Sequence, residues 1–122
     1  MKHFISLEKA KTMTALYRKE RGNVVTPEHA QKGTLSLSET FDAEPFRVIL
    51  SKPDCTGLRI YYGMDDTHKI HAIIVGVNAK NEDILPVENT IGVEGAVTVN
   101  DTIIEDSYFC PPVCPVTSPL NS

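Results

Sequence analysis

The chain has 122 residues, which is the size of one domain. Hydrophobic residues make up 41% and charged residues 23%, a composition that is typical of soluble globular proteins and excludes a disordered chain. The net charge of −4 argues against nucleic-acid binding, because phosphate backbones require a clustered basic surface and the one basic cluster, Arg18-Lys19-Glu20-Arg21, is small and interrupted.

No targeting or membrane segment is visible in the sequence. The N-terminal stretch MKHFISLEKAK has too short an apolar part for a signal peptide, and no run approaches the ~20 apolar residues of a membrane span. We therefore expect a cytoplasmic protein without a membrane partner. In a reducing cytosol, the three cysteines are expected to be free thiols or metal ligands rather than a disulfide framework.

The first predicted element is a helix over residues 6–21. Ser6 is a suitable N-cap for this helix. The residues that follow at helical spacing are Leu7, Ala10, Met13, Thr14 and Tyr17. Basic residues gather in the last turn, where the helix dipole favours them, and Gly22 follows as a terminator.

A polar passage over residues 23–38 separates this helix from the next predicted one. The passage lacks periodicity and predicts a loop, with one extended piece at 34–37. A shorter helix is predicted over 43–51, where Asp42 is a suitable cap and Pro45 is tolerated in the first turn.

The second half of the chain predicts a hairpin. Residues 58–62 alternate between apolar and polar positions, with Leu58, Ile60 and Tyr62 on one face. Tyr62 is expected in the core, whereas Tyr61 is expected on an exposed recognition surface or under a helix. Residues 70–78 are apolar on both faces, which is typical of a central strand covered on both sides.

Three further segments complete the predicted sheet. A short edge strand is expected at 84–87 and an extended piece at 96–99, whereas 102–109 is compatible with either a short helix or a strand. The predicted fold is therefore α+β: N-terminal helices packed on a small antiparallel meander, with a proline-rich C-terminal tail, in one domain over 1–122.

Cys110 and Cys114 lie four residues apart in that tail, in the run Cys-Pro-Pro-Val-Cys-Pro. Thiolates bind Zn²⁺ and Cu(I), so the pair is a candidate metal or redox site. Proline favours extended backbone in the preceding residue, and an extended run would separate the two Cα atoms by roughly 12 Å, too far for a disulfide. A turn at Pro112-Val113 would bring them together. The alternative is a stiff tail whose cysteines pack as small apolar groups.

His71 is the candidate third ligand. With Cys110 and Cys114, and with Cys55 as a further candidate, it would form a zinc site if the tail folds back over the sheet. His68 precedes His71 by three residues, so the two side chains are expected on opposite strand faces and not on one metal. The alternative is a solvated His68 and a partly buried His71 with a hydrogen-bond partner.

Adjacent carboxylates occur at Asp65-Asp66, Glu82-Asp83 and Glu105-Asp106. Such pairs are typical of solvated turn formers, since general acid–base catalysis requires carboxyl groups that converge in a cleft. No phosphate loop and no serine-nucleophile motif is present in the sequence.

Residues 110–115 resemble the copper-binding motif of the thioredoxin-fold copper chaperones that serve cytochrome oxidase. The resemblance implies that Cys110 and Cys114 would be the thiol ligands. In that family the motif lies early, and most of the thioredoxin fold and a histidine ligand follow it. Only seven residues follow Pro115 here, so the fold cannot be the same and the histidine would have to come from upstream.

The chain as a whole resembles a group of small uncharacterised proteins from Bacteroidetes-type bacteria. The resemblance rests on the first helix at 5–21, on the hairpin, and on the tail from residue 110 to 121. It implies that the tail belongs to the domain, and it carries over no functional residue.

Three functions are compatible with these features. The expected one is a cytoplasmic, non-enzymatic binding or adaptor protein without a cofactor, which works through a surface patch or as a homodimer. The alternative is a thiol-based protein that uses Cys110 and Cys114, with His71 as a further ligand if zinc or copper is bound. A small enzyme whose residues converge only in three dimensions is the third hypothesis.

Overall fold

A computed structural model describes residues 2–30, 33–86 and 102–121. Over these residues the chain forms helices and antiparallel strands, which confirms the α+β prediction. Its contacts divide the chain into two compact units. The first comprises Met1–Thr40, Met64–Ile70 and Tyr108–Ser122, and the second comprises Phe41–Gly63 and His71–Ser107. The prediction of one domain over 1–122 stays a prediction.

Helix α1, Leu7–Glu20, belongs to the first unit and confirms the first predicted element. The side chain of Ser6 caps it by accepting a hydrogen bond from the Lys9 N–H at 3.1 Å. At the other end, the N–H of Arg21 donates to the Tyr17 carbonyl at 2.8 Å. None of the helix residues is fully buried, so its apolar side chains remain largely exposed.

The passage after α1 contains two elements that the sequence does not predict. A four-residue helix, α2, spans Pro27–Ala30, and strand β1 spans Ser38–Thr40. Strand β6, Tyr108–Cys110, pairs with β1 in antiparallel orientation, with Ser38 opposite Cys110. The predicted loop and the extended piece at 34–37 are therefore wrong in detail, because a strand from the far end of the chain determines which residues extend.

Helix α3, Ala43–Leu50, lies in the second unit, one residue shorter than predicted. Asp42 has the extended backbone of an N-cap, although its side chain makes no capping hydrogen bond. Ile49 is 1% exposed and forms the centre of the core with Ile74 and Ile104. The side chains that pack against this cluster from its margin are Phe41, Phe46 and Cys55.

A sheet forms the rest of the second unit's framework. Strand β2 spans Gly57–Met64, β3 Ile70–Val77, β4 Asp83–Ile84 and β5 Ile103–Ile104. The order is β2-β3-β4, and β5 also pairs with β3.

Strand β3 is central to that sheet, as its two apolar faces predict. Gly76 lies opposite Ile84 of β4, and Ile74 lies opposite Ile104 of β5, both in antiparallel pairs. The ambiguous segment 102–109 therefore contributes strands, because pairing with β3 and β1 satisfies its backbone groups. The extended piece predicted at 96–99 lies outside the described residues.

The turn between β2 and β3 lies in the first unit. Asp65 organises it, because its Oδ1 accepts hydrogen bonds from the N–H groups of Thr67 at 2.9 Å and Lys69 at 3.1 Å. The turn-forming role predicted for Asp65 is thereby confirmed. His68 is exposed, as predicted, and has a positive φ of 68°. Its ring packs against that of His29, with 4.8 Å between the centroids.

Candidate functional site

The C-terminal cysteines lie where the chain turns back at the end of β6. Cys110 is buried, and its carbonyl accepts a hydrogen bond from the Leu37 N–H at 2.8 Å. Three residues on, the Val113 N–H donates to the Phe109 carbonyl at 2.8 Å, which closes a turn. The Cα atoms of Cys110 and Cys114 are 4.6 Å apart, and their sulfur atoms form a disulfide.

The structure shows the turn that was the alternative to an extended run, and it contradicts the expectation of free thiols at this pair. The roughly 12 Å separation assumed an extended run, whereas the chain turns at residues 111–113 with both Pro111 and Pro112 preceded by cis peptide bonds. The pair is also oxidised instead of consisting of two free thiols. Cys55 is a free cysteine; it is partly buried, and its Sγ donates to the Gly57 carbonyl at 3.3 Å.

His71, on β3, lies in the second unit and interacts with a carboxylate there. Its Nδ1 lies 2.7 Å from Oε1 of Glu105, and its side chain is 19% exposed. The prediction of a partly buried His71 with a hydrogen-bond partner is confirmed. Glu105 is exposed, as predicted for a solvated carboxylate, but it directly follows β5 and its carboxylate pairs with His71 of the neighbouring strand.

The predicted metal site therefore has no direct support. In the part of the chain that the structure describes, no three His, Cys, Asp or Glu side chains are grouped to hold a metal ion. His71 belongs to the second unit, and Cys110 and Cys114 belong to the first. A site formed by these three residues stays a prediction, and so does zinc or copper as its occupant.

The face of β2 that carries Leu58, Ile60 and Tyr62 is an exposed apolar surface of the sheet. These side chains are 40%, 53% and 79% exposed. The predicted core position of Tyr62 is therefore wrong. The physical reason is packing: the core cluster forms around Ile49 and Ile74, and among the described residues it includes no side chain of β2.

Two glycines show which faces of β2 and β3 correspond. A Cβ atom on Gly63 would lie 2.7 Å from Cδ1 of Ile73, and one on Gly57 would lie 3.3 Å from Cγ2 of Val77. Odd-numbered positions of the two strands thus share one face. Because side chains alternate along a strand, Ile60 lies on the same face as Ile74, the core residue of β3.

In the described part of the sheet, strand β2 also lies at an edge. Among residues 2–30, 33–86 and 102–121, β3 is its one hydrogen-bonded neighbour. Alternate backbone N–H and C=O groups of such a strand point away from the sheet and can pair with another chain. The exposed apolar face and this edge, together called the β2 edge surface below, are the candidate functional site.

The opposite face of β2 is occupied by a polar network. The guanidinium of Arg59 donates to Oδ1 of Asp83 and to Oδ1 of Asn81. The hydroxyl of Tyr61 donates to Oδ2 of the same Asp83 carboxylate. The prediction that Asp83 is a solvated turn former is therefore wrong, since the long side chains of Arg59 and Tyr61 span β3 to reach it on β4.

The network changes the acidity of its members. The hydrogen bond from Tyr61, followed by that from Arg59, holds the pKa of the Asp83 carboxyl below its ordinary value, although partial desolvation acts in the opposite direction. The hydrogen bonds to Asp83 and Tyr61 raise the pKa of Arg59 in turn. The one charged side chain of β2 is thus paired within the fold, and the surface around Ile60 carries no unpaired charge from its own strand.

The sequence contains one signal for this network. Arg59 and Tyr61 are two residues apart on a predicted strand, so both point to one face. An acidic residue at the start of a neighbouring strand is the natural partner for such a pair. The strand order, which the sequence does not reveal, was needed to select Asp83.

Comparison with known proteins adds no relative. No protein-family model matches the chain, and neither a curated protein nor a solved structure shows a significant match to it.

Proposed function

We propose that the chain is a non-enzymatic binding module that associates with a second copy of itself through the β2 edge surface. The observation that supports this proposal is an eight-residue strand, Gly57–Met64, at the edge of the sheet that the described residues form, with three exposed apolar side chains on one face. Exposed hydrophobic edge strands are templates for pairing with another chain.

The composition of β2 favours such pairing. Edge strands that must stay free are commonly protected by lysine, by proline or by charges that point into the sheet. The sequence of β2, GLRIYYGM, contains no proline, lysine or acidic residue, and Arg59 is neutralised by Asp83. Two copies could therefore approach without repulsion between charged residues of β2.

Symmetry favours a second copy as the occupant. Antiparallel pairing of two identical edge strands around a two-fold axis is self-complementary, so one surface serves both partners. It would extend the sheet across the axis and bring Leu58, Ile60 and Tyr62 of each copy beside those of the other.

The exposed area indicates a weak dimer. A fully exposed large side chain has an accessible area of roughly 150 to 250 Å². With their exposed fractions, Leu58, Ile60 and Tyr62 together present an accessible area on the order of 350 Å² per copy. A stable interface buries about 800 Å² per partner. We therefore expect a dimer that dissociates on dilution.

Size-exclusion chromatography with light scattering, from about 10 μM to about 1 mM, tests the proposal. The wild-type mass should rise toward that of a dimer with concentration, and Ile60→Lys should keep the chain monomeric. Ile5→Lys is the matched control, because Ile5 is the same residue type and is 52% exposed against 53% for Ile60. A wild-type monomer at the highest concentration contradicts the proposal, as does an equal effect of both substitutions.

A thiol-based redox function is the second candidate, and the disulfide between Cys110 and Cys114 favours it. Cys114 is exposed and open to attack by a thiolate. The proposal places the protein in the cytoplasm. There, the glutathione pool would keep many such cysteine pairs in the reduced form. In the exchange, the two protein thiols would reduce one glutathione disulfide, and the products would be the protein disulfide and two glutathione molecules.

Thiol titration in glutathione redox buffers tests this second function. A reversible change of two thiols per chain, absent in Cys114→Ser, would support it. A pair that stays oxidised across the range of cytoplasmic potentials would contradict it. Elemental analysis of the reduced protein for zinc and copper tests the metal prediction, with His71→Ala as the variant that should lose metal.

A further inference from the structure

A cavity of about 460 Å³ in the first unit combines the basic residues at the end of α1 with the segment around α2. Its lining includes Arg18, Lys19, Arg21 and His29, and no acidic side chain among the described residues. In a chain with 12 basic and 16 acidic residues, such a concentration of positive charge calls for a specific explanation.

The fold brings together basic side chains that an acidic residue separates in the sequence. Glu20 separates Lys19 from Arg21 along the chain, but its side chain does not line this cavity. Instead, Oε2 of Glu20 accepts a hydrogen bond from Nδ2 of Asn23 at 2.8 Å. The basic side chains thus share the cavity without the intervening carboxylate.

Backbone carbonyls hold both guanidinium groups in place. Nη1 of Arg21 donates to the Leu35 carbonyl at 2.6 Å, and Nη1 of Arg18 donates to the Leu120 carbonyl at 2.6 Å. The Leu35 carbonyl orients the Arg21 guanidinium without cancelling its charge, and a guanidinium has five N–H donors. Positioned guanidinium groups suit the oxygen atoms of a phosphate or a carboxylate.

His29 provides an independent indication. Its ring lines the cavity and packs against His68, yet its Nδ1 is buried without a hydrogen-bond partner among the described residues. A buried polar atom without a partner is unfavourable. A rotation of the ring toward a bound anion would supply the missing partner.

We propose that this cavity, lined by Lys19, Arg21 and His29, binds a small soluble molecule that carries a phosphate group. The positive charges that line the cavity outweigh the partial negative charge at the C-terminal end of α1. A doubly charged phosphate gains more from this net positive charge than a singly charged carboxylate does. Val25 and Leu35 contribute apolar wall for an organic substituent. The site does not depend on the self-association proposed above.

Amide NMR of ¹⁵N-labelled protein at constant ionic strength tests the proposal, with inorganic phosphate, phenyl phosphate and acetate as probes. Gly22 and Gly33 both line the cavity, so their resonances report on it. Phosphate should shift them saturably with a Kd of about 1 mM or tighter. Phenyl phosphate should bind at least about threefold more tightly because of the apolar wall, and acetate should bind more weakly.

Lys19→Gln should weaken phosphate binding about threefold or more. Lys9→Gln is the matched control, since it removes the same charge from the same helix outside the cavity. Equal weakening by both variants, or phosphate shifts no larger than those of acetate, would overturn the proposal. A third result would also overturn it: the protein is retained on vesicles that contain phosphatidic acid, but soluble phenyl phosphate does not shift the Gly22 and Gly33 resonances. The ligand would then be a lipid headgroup.

Discussion

The Tyr61 hydroxyl donates a hydrogen bond to Oδ2 of Asp83, which lies 22 positions further along the chain. The second oxygen of the same carboxylate accepts from Arg59. One acidic side chain thus organises the polar face of β2, while the opposite face presents Ile60 to the surroundings. One face of this strand is therefore engaged in hydrogen bonds within the fold, and the other face is exposed.

Asp83→Asn should weaken the sheet. The amide is neutral and presents one acceptor oxygen, so it cannot pair with Arg59 and accept from Tyr61 as the carboxylate does. We expect a lower melting temperature, measured by circular dichroism. Asp66→Asn, an exposed carboxylate in the hairpin turn, is the control and should leave the melting temperature unchanged.

The same carboxylate predicts a pH dependence. The folded-state pKa of Asp83 lies below its unfolded value, so its contribution to stability is fully present above about pH 4 and is lost as the pH falls through the folded pKa. The difference in melting temperature between wild type and Asp83→Asn should therefore be constant from pH 7 to about pH 5 and shrink in stronger acid. A difference that grows on acidification would contradict the sign of this shift.

Gly76→Ala should destabilise the core of the second unit. A Cβ atom at this position would lie 3.0 Å from Cγ2 of Ile49 and 3.1 Å from Sγ of Cys55. Overpacking of this kind costs about 1–3 kcal/mol, which urea denaturation would detect. Gly22→Ala is the control, because a Cβ on Gly22 meets nothing within 4 Å.

Removal of the disulfide should lower stability modestly. The bridge closes a loop between residues four positions apart, for which chain entropy predicts about 2 kcal/mol. Cys114→Ser, at an exposed position, should unfold at lower urea concentration than wild type in the absence of reductant. Wild type in dithiothreitol should then match the variant, whereas Cys55→Ser should still respond to reductant, because Cys55 is outside the bridge.

Local patterns predicted the elements that local physics controls. The helix after Ser6 follows from a side-chain cap and from dipole-favoured basic residues in its last turn. The central position of β3 follows from its two apolar faces, which have to be covered. Strand β1 was not predicted and β5 was left ambiguous between helix and strand, because two or three residues carry no periodicity and extend only when a distant strand pairs with them.

The candidate sites were harder to predict for a related reason. The conspicuous residues, Cys110 and Cys114, were identified from spacing, but the turn that joins them depends on hydrogen bonds at residues 109 and 113. The exposure of Tyr62 depends on which distant side chains join the core cluster around Ile49, and no residue in β2 encodes that.

By itself the sequence determined the α+β class, the capped first helix and the apolar central strand, because each depends on periodicity and on neighbours within a few residues. Only the tertiary structure decided that β2 lies at the edge of the sheet formed by the described residues, that Asp83 serves Arg59 and Tyr61, and that Glu20 bonds Asn23 and does not line the basic cavity. These outcomes depend on which distant segments pack together, and such packing arises from burial and backbone pairing across the whole chain.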